Sequence, residues 1–193
     1  MKMPNQAGRY TYQDWLKWEG RWELIDGKPY NMTPAPSWEH QYIVGELHFA
    51  LRAYFGNKAC YVAVAPFDVY LSAKEDYDHP DHVLQPDLSV ICNPNQLASK
   101  GCYGPPTLVV EVLSPATALK DRNEKLKLYQ QFGVQEYWIV DPGYKMVEVL
   151  GLEDGYYRTK EAFGKEGQLR SFIFKDLTIN LKPVFQFEQD KTP

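Results

Sequence analysis

The sequence predicts a mixed α/β (α+β) fold, in which helices flank one mixed sheet. Two amphipathic helical stretches enclose three strands, and a further strand follows the second helix, giving the order helix, three strands, helix, strand. Extra hairpins are predicted at both ends. With 193 residues, 44% of them apolar, the chain is expected to form a single domain over 1–193 with its core at about 10–181. Aromatic residues reach 15%, which argues against disorder.

Thr11 followed by Asp14 opens a short helix within Tyr10–Gly20. Arg21–Tyr30 reads as strand, Asp26-Gly27 turn, strand. Met32–Pro36 breaks the pattern. Ser37 is an N-cap for the next element, where Ile43, Val44, Leu47, Leu51, Tyr54 and Phe55 recur at helical spacing until Gly56-Asn57. Strands follow at Cys60–Ala65, Phe67–Leu71 and Asp87–Cys92, with a polar loop over Ser72–Leu84. Thr107–Leu113 is the most apolar strand. After Ser114-Pro115 a helix is predicted over Thr117–Phe132, with Leu119, Leu126, Tyr129 and Phe132 inward and Gly133 as its stop. Strands at Glu136–Val140, Met146–Leu150 and Tyr156–Thr159 come next. Phe172, Phe174, Leu177, Ile179 and Leu181 alternate in a last extended segment, and a loose tail is expected beyond Phe187.

Charge and cysteine content narrow the functional classes. Lys plus Arg is 21 against 25 Asp plus Glu, so no basic coat covers the protein and any nucleic-acid contact must be local. Three cysteines, Cys60, Cys92 and Cys102, show neither ligand spacing nor a disulfide framework; they read as small buried hydrophobes in a cytoplasmic protein. No apolar run approaches the roughly 18 residues of a membrane span, and no apolar signal core stands at the N-terminus.

Two carboxylates stand out. Glu111 lies inside Leu108–Leu113, where an unpaired charge costs several kcal/mol. Asp87 opens the preceding core strand. If the two strands pair as a hairpin centred near Ser99, residue 87 faces residue 111 on the same side of the sheet, with Cβ atoms about 4.5–5.5 Å apart. Two acids so close both ionise only beside a positive charge, and a hard divalent cation with oxygen ligands, Mg²⁺ first, suits them. A one-residue slip would separate them. Asp121 and Lys125 share a face of the following helix. Lys125 there either orients a water and stabilises phosphate charge, or is half of an exposed pair with Asp121 worth about 0.3–0.5 kcal/mol.

The motifs Gln85-Pro86-Asp87, Glu111–Thr117 with Asp121, Lys125 and Tyr129, and Gly133–Pro142 together resemble the Uma-two family, restriction-endonuclease-like proteins of the PD-(D/E)XK nuclease superfamily. Glu23–Gly27, Pro34–Ser37 with His40, and Ala65–Val69 extend the likeness from about Tyr10 to Leu181. The resemblance implies a restriction-endonuclease-like core in the order already read, with Asp87 and Glu111 as metal ligands. The superfamily's lysine usually stands two residues after the second acid; Leu113 occupies that position, which leaves Lys125 as the candidate catalytic lysine. The expected activity is Mg²⁺-dependent endonucleolytic hydrolysis of nucleic acid, DNA by preference, with Mn²⁺ as a substitute cofactor.

Glu23 and His40 are secondary site candidates, Glu23 as a third acid and His40 as a site residue or a hydrogen-bonded core histidine. Lys120, Arg122, Lys125 and Lys127, with Arg52 and Lys58, are the cations available to substrate phosphates. His79 and His82 have the residue types of a metal site but lie in a loop. Glu136-Tyr137-Trp138 reads as core packing ahead of a base-stacking platform. A homodimer is a further expectation, since the superfamily commonly forms dimers. The competing functional class is a catalytically inactive nucleic-acid-binding or protein-interaction domain, which Leu113 favours and the paired acids oppose. A glycosidase built on the same two acids is disfavoured because no sugar cleft is evident.

Overall fold

The computed structural model describes residues 3–5, 7–32, 35–115 and 117–186. Thr33, Pro34 and Ala116 of the motifs above, part of the N-terminal segment and the tail expected beyond Phe187 lie outside the described residues.

Thr11 caps α1 (Tyr12–Trp15) in a reciprocal capping box with Asp14. The helix is a single turn that ends at Trp15, well short of Gly20, which takes a left-handed φ of 91° just before the next strand. Strands β1 (Trp22–Ile25) and β2 (Lys28–Asn31) pair across Asp26-Gly27, whose φ values of 50° and 72° give the twist that a two-residue hairpin turn needs. The Ser37 hydroxyl accepts the His40 N–H and starts α2 (Trp38–Phe55).

Strands β3 (Tyr61–Val64), β4 (Val69–Leu71), β5 (His82–Leu84) and β6 (Leu88–Ile91) follow. The short hairpin of β7 (Leu97–Ala98) and β8 (Gly101–Tyr103) precedes β9 (Leu108–Val112). Helix α3 spans 118–132 and leads to β10 (Glu136–Asp141), β11 (Met146–Glu153) and β12 (Tyr156–Gly164). A last hairpin, β13 (Gln168–Arg170) with β14 (Thr178–Asn180), precedes α4 (Leu181–Val184).

The central sheet runs β12-β11-β10-β9-β6-β3, and a second sheet runs β2-β1-β5-β4-β8-β7. Within the central sheet β3, β6 and β9 are antiparallel neighbours, and β10 joins β9 in parallel after the α3 crossover. This is the predicted order of helix, three strands, helix and strand, with α2, β3, β6, β9, α3 and β10 in those roles. Ile43, Leu47 and Leu51 of α2 bury one face of the sheet against Val90, Val110 and Trp138. Leu128 and Tyr129 of α3, with Val69 and Leu84 of the second sheet, bury the other against Val109 and Ile139.

Four further expectations need correction. The loop over Ser72–Leu84 contains β5, three buried residues too few to show alternation beside Pro80 and Asp81. Leu119 is 80% exposed, not inward. The cause is a π-helical turn at Asp121–Lys125 inside α3, where one extra residue rotates the preceding turn by about 100°. The last segment is not one strand, since residues 171–177 turn back between β13 and β14 to form a hairpin.

The fourth correction concerns the cysteines. Cys60 and Cys92 form a disulfide, while Cys102 is free and buried. Tyr61 pairs with Ile91, so Cys60 and Cys92 occupy the next cross-strand position, a proximity that their separation of 32 residues conceals. Among the described residues no helix is long and apolar enough to cross a membrane.

Candidate active site at the junction of β6, β9 and helix α3

The β6–β9 register is Leu88 opposite Val110, Ser89 opposite Val109 and Val90 opposite Leu108. One step further along the same register, Asp87 faces Glu111, as the sequence predicts. Both acids lie where the apolar strands run out toward α2 and α3. Asp87 Oδ2 accepts the Val112 N–H at 2.8 Å and lies 3.2 Å from His40 Nε2. The first turn of α2, set by the Ser37 cap, therefore brings its histidine onto the first acid. The hydrogen bond and charge of Asp87 outweigh burial and raise the His40 pKa.

Glu111 is buried, and Lys125 meets it. Lys125 Nζ lies 2.7 Å from Glu111 Oε1 and 2.9 Å from Glu23 Oε1, with Asp121 Oδ1 at 3.7 Å. The Tyr129 hydroxyl donates to Glu111 Oε1 at 2.7 Å. Asp121, Lys125 and Tyr129 recur four residues apart along α3, and the π turn brings all three inward. Lys125 is thus a buried hub and not half of an exposed pair.

Glu23, on β1, accepts the Gln85 N–H at 3.0 Å and an ion pair from Lys120 at 2.7 Å. Gln85 in turn donates to Asp68 at 2.8 Å and accepts from Arg21. These bonds tie the second sheet to the acid cluster just ahead of Asp87.

The electrostatics follow from a shortage of cations. Glu23, Glu111 and Asp121 share two lysines, with Asp87 nearby. Burial alone would raise the Glu23 carboxyl, but Lys125 and Lys120 together hold it down at about 2. Glu111 has only Lys125; burial pushes it up to about 8, and Asp121, Asp87 and Glu23 add to the rise. Burial likewise raises Asp121. Lys125 is held well above the usual lysine value, because Glu111, Glu23 and Asp121 outweigh its burial.

The chemistry of this donor set is compatible with a divalent cation. The donors are oxygens, acids exceed ammoniums, and Asp121 Oδ1 is buried with no hydrogen-bond partner among the described residues. No three His, Cys, Asp or Glu side chains among those residues form a ready metal cage. Asp87 and Glu111 would supply two carboxylates, which suits Mg²⁺, an ion that keeps most of its waters.

The remaining candidates are dispersed. Lys120 turns toward Glu23, Arg122 pairs with Glu148 at 3.1 Å, and Lys127 is exposed. Lys58 lies over the Tyr54 ring, and Arg52 is exposed on α2. His82 is buried and accepts the Asp26 N–H, while His79 lies beside Asp76 at the surface, so the two do not share a site. Glu136 and Trp138 are core residues; the Glu136 carboxylate accepts from Trp138, Ser171, Phe172 and Ile173. Gln85 was visible in the sequence only as a motif position, and Tyr129 as a motif position and an inward residue of the helix. Their contacts depend on tertiary placement.

Residues 10–182 match the model of the Uma2 family, described as "Putative restriction endonuclease". A protein of Synechocystis sp., described as uncharacterized, is 30% identical over 133 residues, which cover 66% of each chain. The crystal structure of "a putative nuclease belonging to DUF820" from Anabaena variabilis superposes with a TM-score of 0.71 at 20% identity, covering 91% of this chain and 97% of that one. The sheet order, the paired acids and the extent of the family match converge: the chain belongs to the Uma2 family of restriction-endonuclease-like proteins.

Proposed function

We propose that this protein is a Mg²⁺-dependent endonuclease that hydrolyses phosphodiester bonds of DNA. The observation carrying this reading is the cross-strand register that sets Asp87 against Glu111 beside the buried ammonium of Lys125. Asp87 and Glu111 would hold the cation, with Mn²⁺ as a substitute. When bound, it would polarise the scissile phosphate and acidify a water.

The chain's own groups have separable tasks. His40 and the Val112 N–H orient Asp87. Tyr129 and Lys125 hold one oxygen of Glu111. Lys125 keeps its proton, because three carboxylates favour its charged form, so it acts through charge and hydrogen bonding and not as a base. The family description, which names restriction endonucleases, supports DNA as substrate.

One observation favours a second reading. Lys125 is already paired with both Glu111 and Glu23, and Leu113 stands where the superfamily's lysine usually does. A closed network of this kind suits a binding domain that retains the fold without turnover. Cleavage of supercoiled plasmid in Mg²⁺, Mn²⁺ or EDTA, beside cation titration, separates the two. Metal-dependent cutting that is lost in Asp87→Ala supports the nuclease. A folded protein that binds neither cation and cuts nothing supports the binding domain.

A further inference from the structure

Strand β3 is an edge of the central sheet, and its outer side is not covered by another strand among the described residues. Between this edge and α2 runs a groove of about 420 Å³. His48 and Arg52 of α2 form one wall; Tyr61, Val64, Pro66 and Phe67 form the other.

Three features bear on its occupant. The groove's β3 wall runs toward the strand end that carries Asp87, because Ala65, between Val64 and Pro66, donates its N–H to the Asp87 main-chain carbonyl at 3.0 Å. Arg52 places a positive charge on its α2 side, in a protein whose net charge is −4. Its β3 side presents aromatic surface: Tyr61 is 46% exposed, and its ring centroid lies 6.3 Å from that of Phe67. A cationic wall facing aromatic rings is the surface that holds an unpaired nucleic-acid strand, with phosphates on the cations and bases on the rings. Paired bases offer no free face for such stacking.

The helix wall carries an independent mark. Gly45 interrupts α2 in mid-helix, where glycine weakens a helix. A Cβ at this position meets nothing within 4 Å, so packing among the described residues does not demand a glycine. Helical spacing sets Gly45 on the same flank as Arg52, two turns nearer the His40 end. Its bare backbone widens the space along that flank.

We infer that the groove between α2 and the β3 edge binds a single strand of the DNA substrate and leads it to the Asp87 end of the site. The inference rests on the nuclease reading above and specifies its substrate as DNA with an unpaired segment. Arg52 and His48 contact phosphates, and Tyr61 and Phe67 stack on bases.

The test is fluorescence anisotropy in EDTA, with a short labelled single strand and the matching blunt duplex. Wild type, Arg52→Ala and Tyr61→Ala are compared, with circular dichroism and sedimentation on each. Wild type is expected to prefer the single strand. Arg52→Ala and Tyr61→Ala are each expected to lose about tenfold in single-strand affinity with their fold intact. Arg52→Glu is expected to lose more than Arg52→Ala. Unchanged affinity in the Arg52 and Tyr61 variants, or a wild-type preference for blunt duplex, overturns the inference. So does a wild-type dimer that Tyr61→Ala converts to monomer, since the edge would then belong to a second copy. Plasmid cutting distinguishes the two readings. Loss of strand binding in the variants of a protein that never cuts leaves the groove and removes the nuclease; normal cutting with unimpaired groove variants removes the groove alone.

Discussion

Lys125 neutralises acids from β1, β9 and its own helix, so its removal leaves several buried carboxylates short of a cation. Lys125→Met is expected to destabilise the fold by about 3–5 kcal/mol, read from urea unfolding. The acids around it respond oppositely to pH. Glu23 has a folded pKa of about 2 against an ordinary 4.5. Its contribution, on the order of 3 kcal/mol, is present above pH 4.5 and is lost as pH falls toward 2. Glu111 is shifted up to about 8, so its contribution is complete below pH 4.5 and is lost as pH rises through 8. Unfolding in EDTA should therefore show Glu111→Gln gaining on wild type between pH 5 and pH 9. A gap between the two that does not change with pH would show that Glu111 does not hold the extra proton. Asp87 and Glu111 were legible in the sequence because acids in apolar strands are conspicuous. The pairing of Lys125 with Asp121 was legible too, but its burial against Glu111 and Glu23 was not, because an Asp and a Lys four apart look the same on an exposed helix face as on a buried one.

Helix α3 shows why element-scale reading goes only part of the way. Gly133 was legible as its stop, and it adopts φ 82° there. A Cβ at this position meets nothing within 4 Å, so Gly133→Ala tests backbone strain alone and should cost about 1–2 kcal/mol in a denaturant titration. A loss near zero would mean that the helix end is loose. The π turn was not legible, since a regular 3.6-residue repeat accounts for Leu126 and Tyr129 and places Leu119 beside them. The extra residue shows only in the exposure of Leu119, one turn before Asp121 and Lys125 are buried beside acids of other elements. Strand β5 was missed for a related reason: His82, Val83 and Leu84 are buried by β1 and β4, not by a pattern of their own.

At the scale of the whole molecule, the order of the core elements was readable because α2, β9 and α3 each carry a strong periodic signal. The β6–β9 register was readable because their connection is nearly symmetric, with the β7–β8 hairpin folded at its centre. The second sheet was not readable; it joins strands that precede α2 with strands inserted between β3 and β6 and between β6 and β9, and its β4–β8 pairing is parallel. That sheet supplies Glu23 and the Gln85 link, so the site needs both sheets. The central claim is that Asp87 and Glu111 act as one centre. The most direct measurement is the nicking rate of supercoiled plasmid by wild type, Asp87→Ala, Glu111→Ala and the double variant, at saturating Mg²⁺ with folding verified. Each single change is expected to slow nicking by at least about a hundredfold, and the double change to be no slower than the worse single. Either single variant nicking at the wild-type rate would contradict the account.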